Sequence, residues 1–162
     1  MSAVPAPSPR GAETLEESAR HIGHHAWIEQ RLFEILGAWV TAVPELEAKA
    51  VLATQSYHHA WHAELWHGLL PSVPHIHTPD LVTPADATTA ERIGSLAAAK
   101  GTVEKLAGLY EVVLPALVDA YTEHLERTTP VADGPTIRAL RLVLADEEAD
   151  ARTGERVLRS LR

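Results

Sequence analysis

Apolar residues recur at three- and four-residue steps along most of the chain, the signature of helices that bury one stripe. From Thr14 the stripe runs Ile22, His25/Ala26, Glu29, Leu32/Phe33, Leu36, Trp39/Val40 and Val43. Pro44 ends that helix and a second begins at Leu46, with Leu46, Ala50, Ala53, Tyr57, Ala60, Glu64 and His67 in phase. Gly68 and Pro71 close it, and the short connection predicts an antiparallel pair. Residues 71–86 read PSVPHIHTPDLVTPAD, with four prolines and no period, which predicts a long connection. Thr88 and Glu91 have the spacing of a capping box for a short helix that Gly101 breaks.

A third long helix carries Val103, Leu106/Ala107, Tyr110, Leu114, Leu117 and Tyr121, with Pro115 expected to kink it. TTPVADGP reads as a turn, and Pro135 suits the first position of a fourth helix. That helix places Ile137, Leu140, Leu144, Glu147, Ala151, Leu158 and Leu161 on its stripe. No segment alternates as a strand does. The expected fold is all-α, an antiparallel four-helix bundle in a single domain over residues 13–162. Two hairpins, 13–70 and 101–162, flank a crossover at 71–100, and residues 1–12, with three alternating prolines, read as a disordered tail.

Composition narrows the function classes. The 162 residues are 46% hydrophobic, enough to bury a core. With 22 acidic against 14 basic side chains and no basic cluster, the chain is expected to bind neither nucleic acid nor a membrane surface. The absence of cysteine excludes thiol catalysis, disulfide scaffolds and iron–sulfur clusters. The first ten residues lack the basic start and apolar run of a secretory signal, so the expected compartment is the cytoplasm. The preference for Arg over Lys, with heavy use of Ala, Val and Leu, points to a bacterial, GC-rich origin.

The informative residues are acids standing where apolar side chains belong. Glu29 lies on the first stripe, and Glu64-x-x-His67 projects from one face of the second helix, a turn apart. An unpaired buried carboxylate costs several kcal/mol, so such residues need a partner, and a metal ion is one. Carboxylate with imidazole suits iron or manganese. The competing reading puts these groups on a wetted surface. Histidines are also crowded: His21, His24 and His25 on the first helix, His58, His59 and His62 on the second. Folding the hairpin at Pro44 should bring His58/His59 toward Glu29 and His62 toward His25, as ligands, orienting donors or proton relays. Trp27, Trp39, Trp61 and Trp66 suit packing or a homodimer interface. Tyr57 and Tyr110 would line a cavity, hydrogen-bond a carboxylate or pack in the core.

In these residues the chain resembles the ferritin-like superfamily, whose dinuclear members use Glu, Glu-x-x-His, Glu and Glu-x-x-His from four successive helices. The resemblance implies Glu29, Glu64 and His67 as ligands from the first hairpin. From the second it implies Glu111, with Glu104 as fallback, and Glu147-x-x-Asp150, where Asp150 replaces the family's His. It further implies two iron ions, or iron with manganese, and a metal-dependent oxidase or oxygenase acting on a small molecule with dioxygen. The Asp150 departure keeps open a metal-free ferritin-like protein that binds a ligand or a partner. Iron storage ranks last, since storage needs a cage.

Overall fold

Helix α1 (Leu15–Ala42) starts where Thr14 and Glu17 satisfy each other's backbone: the Glu17 N–H donates to Thr14 Oγ1 at 3.2 Å and the Thr14 N–H donates to the Glu17 carboxylate at 2.8 Å. It stops one residue before the Val43-Pro44 pair. In this computed structural model, which describes residues 13–162, α2 (Leu46–Leu69) follows after three residues and packs along α1 as its antiparallel partner. A short α3 (Thr78–Leu81) and α4 (Ala87–Ala98) occupy the proline-rich connection. The α4 cap is Asp86, whose side chain accepts from the Thr89 N–H at 2.7 Å, two residues before the expected cap at Thr88. Both short helices lie against α1.

One continuous helical path then runs through α5 (Thr102–Ala107), a π-helical segment (Gly108–Val113) and α6 (Leu114–Arg127). Pro115 has no N–H to give, and the backbone widens to five-residue hydrogen bonds just before it. Helix α7 (Pro130–Ser160) breaks at Asp133 (φ −153°, ψ 72°). There the Asp133 carboxylate accepts from the Thr136 N–H at 3.2 Å and caps the long part of the helix. Pro135 therefore sits in its first turn. Gly154 is needed on α7 because a side-chain carbon there would lie 1.9 Å from the Tyr110 ring. Helix α7 packs on α6 and on α2.

The described residues are all-α, without a strand. The tail expected at 1–12 lies outside them. The core is built from Leu32, Leu36, Leu52, Leu106, Leu109, Leu114, Leu140 and Leu158, with Trp66, Tyr110 and Tyr121, all fully buried. Each such leucine contributes about 1.5–3 kcal/mol by leaving water. Among the described residues no helix is long and apolar enough to cross a membrane.

The stripe expected on α1 faces inward except at Phe33, and those of the third and fourth helices do so largely, with Val103 exposed. Helix α2 is rotated. Its buried face is Ala48, Leu52, Gln55, Ser56, His59, His62, Ala63 and Trp66, whereas Leu46, Ala50, Ala53, Tyr57, Glu64 and His67 face solvent. Half of the core face is polar, with Gln, Ser and two His, while the outer face carries Leu, Ala and Tyr. Hydrophobic periodicity thus points to the wrong side.

Candidate metal site

Three helices converge on a dry polar cluster halfway along the molecule. Helix α1 supplies Glu29, α2 supplies His59 and His62 one turn apart, and α7 supplies Glu147. All four side chains are inaccessible to solvent, and one ligating atom from each lies within 4.8 Å of the others. His59 Nδ1 is 2.6 Å from Glu29 Oε2 and 3.3 Å from Glu147 Oε1. His62 Nδ1 is 3.2 Å from Glu147 Oε1 and 3.5 Å from Glu29 Oε1, near both but aligned as a hydrogen bond with neither.

A surrounding layer holds these groups in place. The Tyr121 hydroxyl on α6 donates to Glu29 Oε1. His62 Nε2 meets Asp146 Oδ2 at 3.1 Å, which fixes its proton on Nε2 when the ring is neutral and turns the Nδ1 lone pair to the cluster. Three members of the cluster keep unsatisfied atoms: both oxygens of Glu147, Nδ1 of His62 and Nε2 of His59 are buried without a hydrogen-bond partner. A neutral core would not tolerate this carboxylate, whose desolvation costs several kcal/mol unless a cation compensates it.

The electrostatics fit that demand. Burial pushes Glu29 up, yet the adjacent His59 and His62 imidazoles outweigh it and hold its pKa at about 2. Burial opposes charge on His62, but contact with the Glu147 and Glu29 carboxylates raises its pKa to about 11. His59 is raised for the same reason, against its burial, by Glu147 and Glu29. Glu147 is raised, because burial and the nearby Glu29 carboxylate outweigh His59 and His62. Burial raises Tyr121, and the Glu29 charge adds to it, so the phenol stays protonated and donating.

Of the residues read from sequence, the fold brings together Glu29 and Glu147, with Asp150 one turn further along α7. Asp150 Oδ2 meets His58 Nδ1 at 2.7 Å, outside the four-residue cluster. Its backbone carbonyl accepts from Gln55 Nε2 at 2.9 Å, and Gln55 Oε1 accepts from the Tyr110 hydroxyl at 2.6 Å. Glu64 and His67 are exposed, on the outer face that the rotation of α2 gives them. Glu111 is exposed and paired with Arg162 at 2.6 and 2.9 Å, a guanidinium contact that lowers its pKa. The fallback Glu104 is exposed and accepts from the Lys100 and Gly101 N–H groups.

His59 does approach Glu29, as the hairpin geometry requires, while His62 meets Glu29 and Glu147 instead of His25. Tyr121 and Asp146 carry no motif signal. The signal that locates His59 is its seven-residue spacing from Leu52 and Trp66, both fully buried on the same face of α2.

A second histidine group lies toward one end of α1. His25 packs against Tyr121 (ring centroids 4.6 Å apart) and its Nε2 is 2.9 Å from His124 Nδ1. Burial lowers the pKa of both rings, that of His124 to about 4, so each is neutral. They border a cavity of about 290 Å³ whose wall mixes Ile28, Ile93, Val113 and Leu117 with Arg92 and Arg127. No family model, curated protein or solved structure matches this chain.

Proposed function

We propose that Glu29, His59, His62 and Glu147 hold one iron or manganese ion, and that the protein is a ferritin-like metal-dependent oxidase or oxygenase acting on a small molecule with dioxygen. The observation that carries this reading is the Glu147 carboxylate, buried with neither oxygen hydrogen-bonded and facing two imidazole nitrogens and a second carboxylate. Ligands bound at 2.0–2.2 Å to an octahedral or tetrahedral ion lie about 2.9–3.5 Å from one another. Three of the four carboxylate–imidazole separations, 3.2, 3.3 and 3.5 Å, fall in that range. The donor set of two carboxylates and two imidazoles suits iron or manganese and neutralises a divalent charge. The four groups suit one ion, since Glu111, Glu64 and His67 point elsewhere.

In this reading α1, α2, the α5–α6 path and α7 are the four helices of a ferritin-like bundle, with α3 and α4 on its crossover. Such an ion, when bound, supplies redox chemistry toward dioxygen or peroxide. The protein's own residues do the rest. Asp146 fixes the His62 tautomer and Tyr121 fixes the Glu29 carboxylate. Trp66 and His25, against Tyr121, close the cluster from water. The cavity beside His25, which none of the four cluster residues lines, offers a small molecule an apolar wall with both basic and acidic side chains, Arg92 and Arg127 with Asp86 and Glu123.

The competing reading is a metal-free ligand-binding protein in which protonated His59 and His62 balance Glu29 and Glu147. The 2.6 Å contact between His59 and Glu29 favours it. Expression with added iron or manganese, followed by elemental analysis of wild type and Glu147→Gln, decides between them. The metal site predicts retained ion in the wild type and its loss in the variant. The charge network predicts none in either.

A further inference from the structure

We propose a second, separate divalent-cation site, of the zinc class, formed by Glu13, His21 and His124 where the start of α1 meets the end of α6. Two side chains at the start of α1, eight residues apart, and one from the end of α6 present one ligating atom each within 4.8 Å of one another. Glu13 Oε1 is 3.0 Å from His21 Nδ1, and Glu13 Oε2 is 3.7 Å from His124 Nε2. These are near the edge lengths of about 3.3 Å expected between ligands of a tetrahedral ion at 2.0–2.1 Å.

The independent observation is the His124 ring. It is almost wholly buried, its Nδ1 is engaged by His25 Nε2 at 2.9 Å, and its Nε2 has no hydrogen-bond partner among the described residues. At 3.7 Å the Glu13 carboxylate is too far to accept a hydrogen bond from it. A buried imidazole nitrogen left free and aimed at a carboxylate, with its other nitrogen oriented by a neighbouring ring, is the arrangement of a metal-ligating histidine. His21 completes the group, its ring edge-on to His124 with centroids 5.0 Å apart.

Two imidazoles and one carboxylate are the ligand set of open zinc sites, in which the fourth position stays free for water or an anionic group. His21 and His124 also line the 290 Å³ cavity, so that position would be reachable by a molecule bound there. The inference does not rest on the buried Glu29 cluster, with which it shares no residue.

The test is calorimetric titration of the metal-stripped full-length protein with zinc chloride, alongside Glu13→Gln and His21→Ala. Both altered residues are only half-buried, so both variants should fold, and circular dichroism melting without metal checks this. One zinc equivalent should weaken in each variant by at least about tenfold, the lower end of what even an orienting neighbour of a ligand contributes. Any zinc taken up by the Glu29 cluster should remain unchanged in both. Isotherms in which the two variants do not both lose the same equivalent overturn the proposal, including the case where zinc binds nowhere.

Discussion

The Glu29–His59–His62–Glu147 cluster and the Glu13–His21–His124 cluster use the same two residue types in different solvation. In the first, no member touches water and two carboxylates share one dry space, so every charge must be balanced inside the protein. In the second, Glu13 and His21 are partly wetted and only His124 is fully enclosed. Solvent can stand in for a missing partner there, and it cannot at the first cluster. The dry cluster should therefore couple tightly to folding, and the wet one should bind without much effect on it.

The largest effect should follow Glu29→Ala. It strands His59 and the Tyr121 hydroxyl, each fully buried, and removes the charge that the network is built on. The expected loss is about 3–5 kcal/mol, the range for breaking a buried pair, read as a fall in the urea midpoint. An equally large loss for Glu13→Ala would abolish the distinction between the two clusters.

Acidity should act in opposite senses on the stripped and loaded protein. The His62 pKa is raised, so its contribution to stability is complete below about pH 6.5 and is lost as pH rises toward about 11. The Glu29 pKa is lowered, so its contribution is complete above about pH 4.5 and is lost as pH falls toward about 2. The metal-free protein should be most stable between these limits and melt at lower temperature at pH 9 than at pH 6. Metal binding displaces protons from the same imidazoles and strengthens with pH. Scanning calorimetry should show the gap between loaded and stripped melting temperatures widening over that interval. A constant gap would mean that the ion does not contact these histidines.

Smaller changes sharpen the contrast. Tyr121→Phe removes only the donor to Glu29 Oε1 and should cost about 1–3 kcal/mol, measured by denaturant unfolding. Asp146→Asn leaves folding nearly intact, because that carboxylate is partly exposed, but frees His62 to turn. It should weaken metal affinity by about 10–100-fold in a competition titration. Glu64→Ala and His67→Ala, both on the outer face of α2, should leave melting temperature and metal content unchanged.

How far these features could be read from sequence depended on which residues held the core. On α1 the buried stripe is apolar apart from Glu29 and His25, so the phase is plain and Glu29 stands out against it. The same holds for Glu147 between Leu140 and Leu158 on α7. On α2 the site itself erased the signal. Gln55, Ser56, His59 and His62 share the inner face with Ala48, Leu52, Ala63 and Trp66, and Leu46, Ala50, Ala53 and Tyr57 lie outside. That rotation moved Glu64 and His67 to solvent and brought in the two histidines. Glu111 went outward because its neighbour Tyr110, on the expected stripe, is the residue turned inward, to Gln55. Asp146 and Tyr121 act through contacts between distant helices, which no local pattern encodes.

The most direct measurement is the iron and manganese content of the full-length protein purified after expression with both metals, compared with Glu147→Gln prepared alongside. About one ion per chain, lost in the variant while its helical signal is kept, is the result expected of a carboxylate buried to hold a cation. Wild-type protein that carries neither metal, and takes up neither when titrated, would contradict the metal site and leave the cluster as an internal charge network.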